Sequence, residues 1–302
     1  LETMLYTCNW LLGEPSICGW ITPAMAIVIV YLEGFGTGIT RLQALTAVQL
    51  ELAALFIFLG LTGLSKKLNT LVPPGIKAGI VLGAGVNAVF VRLEEGGALD
   101  TTTLGCLAGL AVVFFLMFSQ RIRTHMEGNR MLQVLGNYSF LWAVLALFIV
   151  GGASGEFHYE FSGQIFKVPD FGALFAAVSP FSIGFPDLSL WVSGIPIALI
   201  AWVIAYGDFV TVQQLGMQAL RDDEFIEFDP NRTNVICGIR NLFLGLFAPY
   251  PALAGPLSAP YCVSTYQRYK QSGRQGMDSI YDGSGTNLIF TVAGLFIFPL
   301  YE

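Results

Sequence analysis

The sequence predicts an all-α membrane protein, a polytopic bundle of helices. The chain has 302 residues, of which 54% are hydrophobic and only 12% are charged, whereas about a quarter of a soluble domain is charged. Several apolar runs approach the roughly 20 residues that a helix needs to cross a bilayer. The few basic residues are scattered between these runs, which excludes a basic face for nucleic acid. We therefore expect an integral, multi-pass protein of a plasma or inner membrane, with the lipid bilayer as its surroundings.

The apolar runs mark the expected helices in order. They cover about 1–12, 20–32, 42–64, 72–91, 101–119, 131–151, 188–220, 233–248, 256–266 and 285–300. Six or seven are long enough to span a bilayer, but those at 21–32 and 255–266 are short and carry Pro or Gly near their starts. An outer loop, 152–187, separates two halves with one short run each. Such a pair indicates the binding site of an inverted-repeat transporter.

The charges between the runs predict the orientation. Because cytoplasmic loops are enriched in Lys and Arg, the loops that hold most of the basic residues are expected to be cytoplasmic. Ten basic residues fall in these loops and three in the opposite ones. The alternation works only if both short runs count as full crossings. The predicted cytoplasmic loops are 65–71, 120–130, 221–232 and 267–284.

The two short runs predict a binding pocket. A half-helix that starts inside the bilayer leaves its first N–H groups unpaired, and these carry the positive end of the helix dipole. Proline suits the first turn of such a helix because it has no N–H to be left unpaired. The alternative is two ordinary short helices with Pro-containing loops. The candidate substrate-binding residues of these runs are Thr22, Pro23, Ala24, Gly255, Pro256, Leu257 and Ser258.

Asp208 is the only charged residue between Leu188 and Leu220. If its helix begins near Pro196, the carboxylate lies about 18 Å along it, close to mid-depth. A charge there costs about 3 kcal/mol or more, so we expect it to couple a proton or cation or to bind the substrate. A helix that starts later would instead leave Asp208 near the cytoplasmic interface.

Two further charges, Glu51 and Arg240, stand inside apolar runs. An Arg240 pair with Asp208 or Glu51 would lower the cost of burying either carboxylate, whereas a lone Arg240 would snorkel toward an interface. Two stretches, 105–109 and 151–155, have the GxxxG spacing that usually serves helix packing or a loop. We find no HExxH, GxSxG or Walker lysine in the sequence and no metal-ligand spacing. No catalytic residue, metal or cofactor is predicted, apart from H⁺ or Na⁺ as a coupling ion, so an enzyme is not expected.

Three stretches resemble the nucleobase–ascorbate transporter family, also called the xanthine/uracil permeases. "LLGEPSICGWITPAM" (11–25) is similar to the family's extended segment and short helix, and residues 42–86 are similar to its fourth and fifth helices. "FDPNRTNVICGIRNLFLGLF" (228–247) resembles the signature before the second broken helix, which the sulfate permease family shares.

The resemblance implies a 7+7 inverted-repeat bundle, in which two short broken helices follow extended segments and a core domain moves against a gate domain. Core-type segments are then expected at about 1–71 and 188–302 and gate-type segments at about 72–151, in a single transmembrane bundle. A homodimer is also implied. The first helix and the last three of the family would be missing, so the chain is expected to be a fragment.

Two positions depart from the family pattern. Typical members carry a Glu four residues before the position of Asp208, where this chain has Ile204, and an acidic or amide residue after Gly255, where it has Pro256. We retain Ile204 as a candidate substrate-binding residue. The expected function is secondary active transport of a small polar solute, a nucleobase-like heterocycle, coupled to H⁺ or Na⁺. The alternatives are an anion transporter or exchanger of the sulfate permease type, or a truncated homologue that does not transport.

Overall fold

The computed structural model describes most of the chain from residue 19 onward. Its continuous stretches are 19–71, 97–120, 129–137, 139–158, 168–222 and 227–256, with scattered positions between and beyond them. The run expected at 1–12 lies outside the described residues, as do most of 72–91, 256–266 and 285–300. In chain order the elements are β1 (Gly19–Trp20), α1 (Thr22–Glu33), α2 (Ile39–Leu61), α3 (Leu64–Leu71), α4 (Ala98–Thr101), α5 (Thr103–Phe118), α6 (Arg130–Asn137), α7 (Ser139–Ala153), α8 (Phe171–Val178), α9 (Pro180–Ile183), α10 (Leu188–Ala219), α11 (Pro230–Phe247) and β2 (Ala254–Gly255).

Contacts divide the chain into two compact units. The first contains residues 1–86 and 166–297, and the second contains residues 87–165 and 298–302. The described elements are nearly all helical, as the sequence predicts. The assignment of core-type and gate-type roles to segments stays a prediction, as does the 7+7 repeat.

The core of the first unit forms around α2. This helix has 23 residues and α10 has 32, and both are long and apolar enough to cross a membrane. Before α2 the chain turns at Gly36 and Gly38, where φ is 67° and 119°. These left-handed conformations favour glycine because they bring a Cβ too close to the backbone. The turn therefore lets α2 begin directly after α1.

α10 packs along α2 in the same direction. Near the start of α2, Gln43 Nε2 donates to the carbonyl oxygen of Gly184, just before α10, at 3.2 Å. Further along, a Cβ added to Gly194 of α10 would lie only 2.7 Å from Glu51 Oε2 of α2. Glycine is thus needed for the two helices to approach each other at this level.

α11 packs against the other side of α2 in the opposite direction, and glycines line this contact as well. A Cβ added to Gly238 would lie 2.4 Å from Ile57 Cγ1, and one added to Gly60 would lie 2.6 Å from Val235 Cγ2. A Cβ at Gly245 would lie 2.7 Å from a methyl carbon of the Leu50 side chain. The backbones of α2 and α11 therefore approach closely along most of their length.

Two helix boundaries in this unit differ from the prediction. α11 begins at Pro230, because Oδ1 of Asp229 accepts the backbone N–H of Asn231 at 3.0 Å and caps the helix. The predicted loop 65–71 forms α3 instead. Its start is fixed by Lys66, whose backbone N–H donates to Asn231 Oδ1 at 3.1 Å.

The predicted outer loop contains helices. The outer loop 152–187 contains α8 and α9, because Asp170 accepts the N–H of Ala173 at 2.9 Å and Ser179 caps α9. The run 131–151 is helical over Arg130–Asn137 and Ser139–Ala153, on either side of residue 138, which lies outside the described residues.

The second unit is built on α5 packed against α7. A Cβ added to Gly105 would lie 2.9 Å from the carbonyl oxygen of Leu147, and one added to Gly109 would lie 2.9 Å from that of Ala143. The GxxxG spacing at 105–109 therefore serves helix packing. Glu156 accepts the backbone N–H groups of residues 104 and 105 at 2.7 and 2.9 Å, which places its carboxylate at the positive end of α5.

The contact between α2 and α11 gives a testable prediction. Gly238→Ala should lower the free energy of unfolding by about 1–3 kcal/mol, because the added methyl group has no space against α2. Thermal unfolding of the purified full-length protein in detergent measures this as a lower Tm. Gly79→Ala is the matched control, since nothing lies within 4 Å of its added Cβ. An unchanged Tm for Gly238→Ala would show that α2 and α11 are not packed this tightly.

Candidate functional site

The candidate site lies where two short strands interrupt the helices of the first unit. β1 pairs with β2 antiparallel, with Gly19 opposite Gly255 and Trp20 opposite Ala254. The next residue, Ile21, donates its backbone N–H to the carbonyl oxygen of Leu253 at 3.0 Å. α1 begins immediately after β1, with proline in its first turn. The first short run therefore has the predicted form of an extended segment followed by a short helix.

Arg240 and Asn241 of α11 bind both strands. Arg240 donates from Nη1 to the carbonyl oxygen of Gly255 at 2.7 Å and from Nη2 to that of Gly19 at 3.3 Å. Asn241 donates from Nδ2 to the carbonyl oxygen of Ala254 at 2.7 Å and accepts the N–H of Ala254 at 2.9 Å. Both side chains are 0% exposed. They satisfy backbone groups that neither a helix nor water can satisfy inside an apolar bundle.

Gln49 extends this network to α2. Its Nε2 donates to Oδ1 of Asn241 at 3.4 Å, and its Oε1 accepts the backbone N–H of Tyr250 at 2.9 Å. Gln49 is also 0% exposed. Sequence reasoning did not assign Gln49 or Asn241 to the site. The signal that could have found them is the same for both, an amide inside an otherwise apolar run.

The structure corrects the sequence-based interpretation of Arg240. A snorkelling Arg240 would reach an interface, but this side chain is completely buried. Its guanidinium contacts strand carbonyls, a set of partners different from the Asp208 or Glu51 carboxylates considered for it. The planar guanidinium suits this position because it presents several N–H donors in a fixed fork.

The remaining candidates of the short runs occupy different surroundings. Thr22 is exposed at the start of α1, and Pro23 occupies the first turn beside it. Ala24 is 1% exposed and belongs to one apolar cluster with Ile204 of α10. That cluster also includes Ile21 and Leu253, which flank β1 and β2. The structure therefore brings Ala24 and Ile204 together beside the paired strands β1 and β2, which are called the strand crossing below.

The candidates of the second short run begin with Gly255, the last residue of β2, and continue with Pro256, Leu257 and Ser258. Gly255 and Pro256 are buried. Leu257 and Ser258 lie outside the described residues.

Asp208 lies farther along its helix than the sequence suggested. α10 begins at Leu188, so Pro196 is inside the helix and not in its first turn. Counted from Leu188, Asp208 is about 30 Å from the start of α10 and about 17 Å from its end. The 18 Å estimate is wrong because a proline within a membrane helix is tolerated and need not mark a start. Asp208 is half-buried and follows Ile204 by one turn, on the same face of α10.

Glu51 is separate from the strand crossing and faces α10. Its Oε2 is buried and has no hydrogen-bond partner among the described residues. Within the part of the chain that the structure describes, no group of three or more His, Cys, Asp or Glu side chains could hold a metal ion. Among the described residues, the buried polar side chains of the candidate site lie at two positions, the strand crossing and the contact of Glu51 with α10.

Comparison with known proteins identifies one family. The sequence model of the xanthine/uracil permease family matches residues 2–254 of the chain. The match covers β1, α1, α2, α10 and α11 and ends at Ala254, the first residue of β2. No curated protein matches the chain.

The network around Arg240 gives the second prediction. Arg240→Gln should lower the free energy of unfolding by about 3 kcal/mol or more, because the carbonyl groups of both strands lose charge-assisted hydrogen bonds. Arg240→Lys should have a smaller effect, since the ammonium keeps the charge but not the fork geometry. Thermal unfolding in detergent measures both changes.

Arg221→Gln is the control for this series, because it removes the same group from an exposed position beyond α10. If Arg240→Gln unfolded at the same temperature as Arg221→Gln, the guanidinium would not be holding the strands.

Proposed function

Since the chain belongs to the xanthine/uracil permease family, we propose that this permease is a secondary active transporter of a nucleobase-like heterocycle. It works by alternating access and is driven by H⁺ or Na⁺. In this proposal the substrate binds beside the strand crossing, at the start of α1.

The observation that carries the proposal is the start of α1 at the strand crossing. A helix that starts inside a transmembrane bundle presents unpaired N–H donors to a ligand. At α1 no side chain caps these donors. The strands in front of it are held by the buried side chains of Arg240 and Asn241. Pro23 has no N–H and the N–H of Ala24 donates to the carbonyl oxygen of Ile21 at 2.9 Å, so the donor that this helix start offers is the N–H of Thr22. A fixed helix start with this donor supports a binding site for a polar solute.

The side chains around this start support a flat, partly apolar substrate. Ligand pockets are mostly apolar, with a few polar groups that set orientation. Ala24 and Ile204 provide apolar surface, Thr22 provides an exposed hydroxyl, and Asp208 stands one turn beyond Ile204. In this proposal Asp208 accepts hydrogen bonds from ring N–H groups of the substrate. The backbone N–H and the hydroxyl of Thr22 donate to its carbonyl oxygens, the hydroxyl in place of its long 3.5 Å contact with the carbonyl oxygen of Trp20.

An anion transporter of the sulfate permease type is the second candidate. The observation that favours it is the complete burial of Arg240 at the strand crossing, because it adds positive charge close to the start of α1. The apolar Ile204, where typical nucleobase permeases have a glutamate, points the same way. Asp208 opposes it, since a carboxylate on this face of α10 would repel a free anion.

We extend the proposal to the surroundings of the transporter. The protein is a homodimer in the plasma or inner membrane, with the four basic loops on the cytoplasmic side. The small-molecule substrate and the lipid bilayer are its partners.

Ligand-induced stabilisation of the purified full-length protein tests the substrate class. The panel is uracil, xanthine, adenine, ascorbate, sulfate and benzoate. A ligand at a hundredfold excess over its Kd stabilises the folded state by about 2.7 kcal/mol. We expect one heterocycle to raise the Tm of the wild type and to lose this effect in Asp208→Asn.

Asp187→Asn is the matched control. Asp187 is an exposed carboxylate just before the same helix, and its side chain makes no capping hydrogen bond to that helix. The control should respond to the heterocycle as the wild type does. Stabilisation by anions alone, unchanged in Asp208→Asn, would replace the nucleobase proposal with the anion transporter.

A further inference from the structure

Glu51 is an acidic residue in the middle of a membrane-spanning helix. It is the thirteenth of the 23 residues of α2, about 18 Å from the start of the helix and about 15 Å from its end. Other described acidic residues, such as Glu33, Glu156 and Asp187, lie at helix ends or in loops. Sequence position alone therefore gives Glu51 the surroundings that are least favourable for a charge.

The packing around Glu51 favours its neutral form. Oε2 is buried and has no hydrogen-bond donor among the described residues. On this side it faces Gly194 of α10, beside the methyl group of Val48. An ionised oxygen without donors in apolar surroundings costs far more free energy than a protonated carboxyl group does. A bound cation would require several oxygen ligands, and among the described residues no group of three or more His, Cys, Asp or Glu side chains could supply them.

Two bonded hydroxyl groups lie beside this contact. Tyr31 belongs to α1, which packs against both α2 and α10, and Ser193 directly precedes Gly194, which faces Glu51. The hydroxyl of Tyr31 bonds to Ser193 Oγ at 2.8 Å, and Ser193, which is exposed, donates in turn to the carbonyl oxygen of Leu190 at 3.1 Å. Since the Ser193 proton is used in that bond, Tyr31 is the donor to Ser193. The phenol oxygen then keeps its capacity to accept a hydrogen bond.

The other ionisable groups on the elements that pack against α2 lie elsewhere. Arg240 is bound to the strand carbonyls, and Asp208 is fourteen residues beyond Gly194 on α10, about 21 Å along that helix. Tyr31, whose partner Ser193 precedes Gly194, is therefore the ionisable group placed beside this contact. The remaining groups are Glu33 on α1, Arg41 on α2 itself, Tyr206 on α10, Lys66 and Lys67 on α3, and Arg232 and Cys237 on α11.

We propose that Glu51 binds and releases the proton that couples transport to a pH gradient, with Tyr31 and Ser193 connecting it to water on one side. The inference rests on the proposed transport function and specifies H⁺ as its coupling ion. The carboxylate takes a proton from water on one side, and the neutral carboxyl group packs against Gly194. Release of the same proton to water on the other side requires the contact between α2 and α10 to open, because among the described residues Oε2 has no donor to stabilise its charge while the contact is closed.

Infrared spectroscopy of the purified full-length protein tests the protonation directly, whether or not a substrate is known. The wild type at neutral pH should show the C=O stretching band of a protonated carboxyl group, and Glu51→Gln should lose intensity in it. Glu33→Gln is the matched control, since it removes an exposed carboxylate at the end of α1, and it should keep the full intensity. Asp208→Asn, Glu51→Gln and the double variant separate the contributions of these two carboxyl groups. An undiminished band in Glu51→Gln, or no band in the wild type, would overturn the assignment.

Transport by the full-length protein in proteoliposomes tests the coupling. With an imposed pH gradient, the wild type and Glu33→Gln should accumulate the heterocycle. In Glu51→Gln the ratio of internal to external substrate should fall to about one, while exchange of substrate without a gradient continues. Tyr31→Phe should shift the pH at which transport is fastest and keep the accumulation.

The two proposals fail in different ways. If the wild type carries no member of the ligand panel, the proposed function is wrong, while the infrared result still decides the protonation of Glu51. If the wild type transports but Glu51→Gln still accumulates substrate with the pH gradient, or only a Na⁺ gradient drives the wild type, the role of Glu51 in coupling is wrong and the transport function stands.

Discussion

Satisfaction of the interrupted backbone is the constraint on which the first unit depends. Where β1 and β2 replace helix, their N–H and C=O groups lose intrahelical partners, and an apolar bundle offers no water instead. The strands satisfy part of this requirement by pairing with each other. Arg240 and Asn241 satisfy carbonyl groups on both strands. Because one guanidinium binds both strands, the start of α1 and the end of the segment after α11 are fixed relative to each other.

The same network explains why α2 and α11 are so close. Gln49 can reach Asn241 and the backbone of Tyr250 only if the two helices approach nearly to backbone contact. Gly238 and Gly245 of α11 permit that approach, since a Cβ at either would lie within 2.7 Å of an α2 side chain. The small residues and the buried polar groups are thus one arrangement. The glycines set the distance, and the amides then bind backbone groups that would otherwise be unsatisfied.

The sequence was sufficient for the class of protein and for the helices with the strongest apolar signal, α2 and α10. It also identified Asp208, Glu51 and Arg240, because a charge in an apolar run is conspicuous. It could not give the partners of Arg240, since backbone carbonyls exist at every position and leave no trace in composition. The apolar run 188–220 matches α10, but the assumption of a helix start near Pro196 misplaced Asp208 along it, because Pro196 is compatible with both a first turn and the interior of a membrane helix. Capping residues such as Asp170 explain the helices found in a predicted loop.

If Glu51 carries the proton and Asp208 contacts the substrate, α10 is the element that links them. Gly194 packs against Glu51 near the start of this helix, and Asp208 follows fourteen residues later on the continuous helix. Charging Glu51 would push α10 away from α2 at Gly194, and a helix transmits such a displacement along its length. Pro196 lies just beyond the contact and removes one hydrogen bond of the helix, so a bend there would reduce the movement at Asp208. Coupling in this arrangement therefore requires the packing of Ala198, Ala201 and Ile204 in the core to hold the two parts of α10 in line.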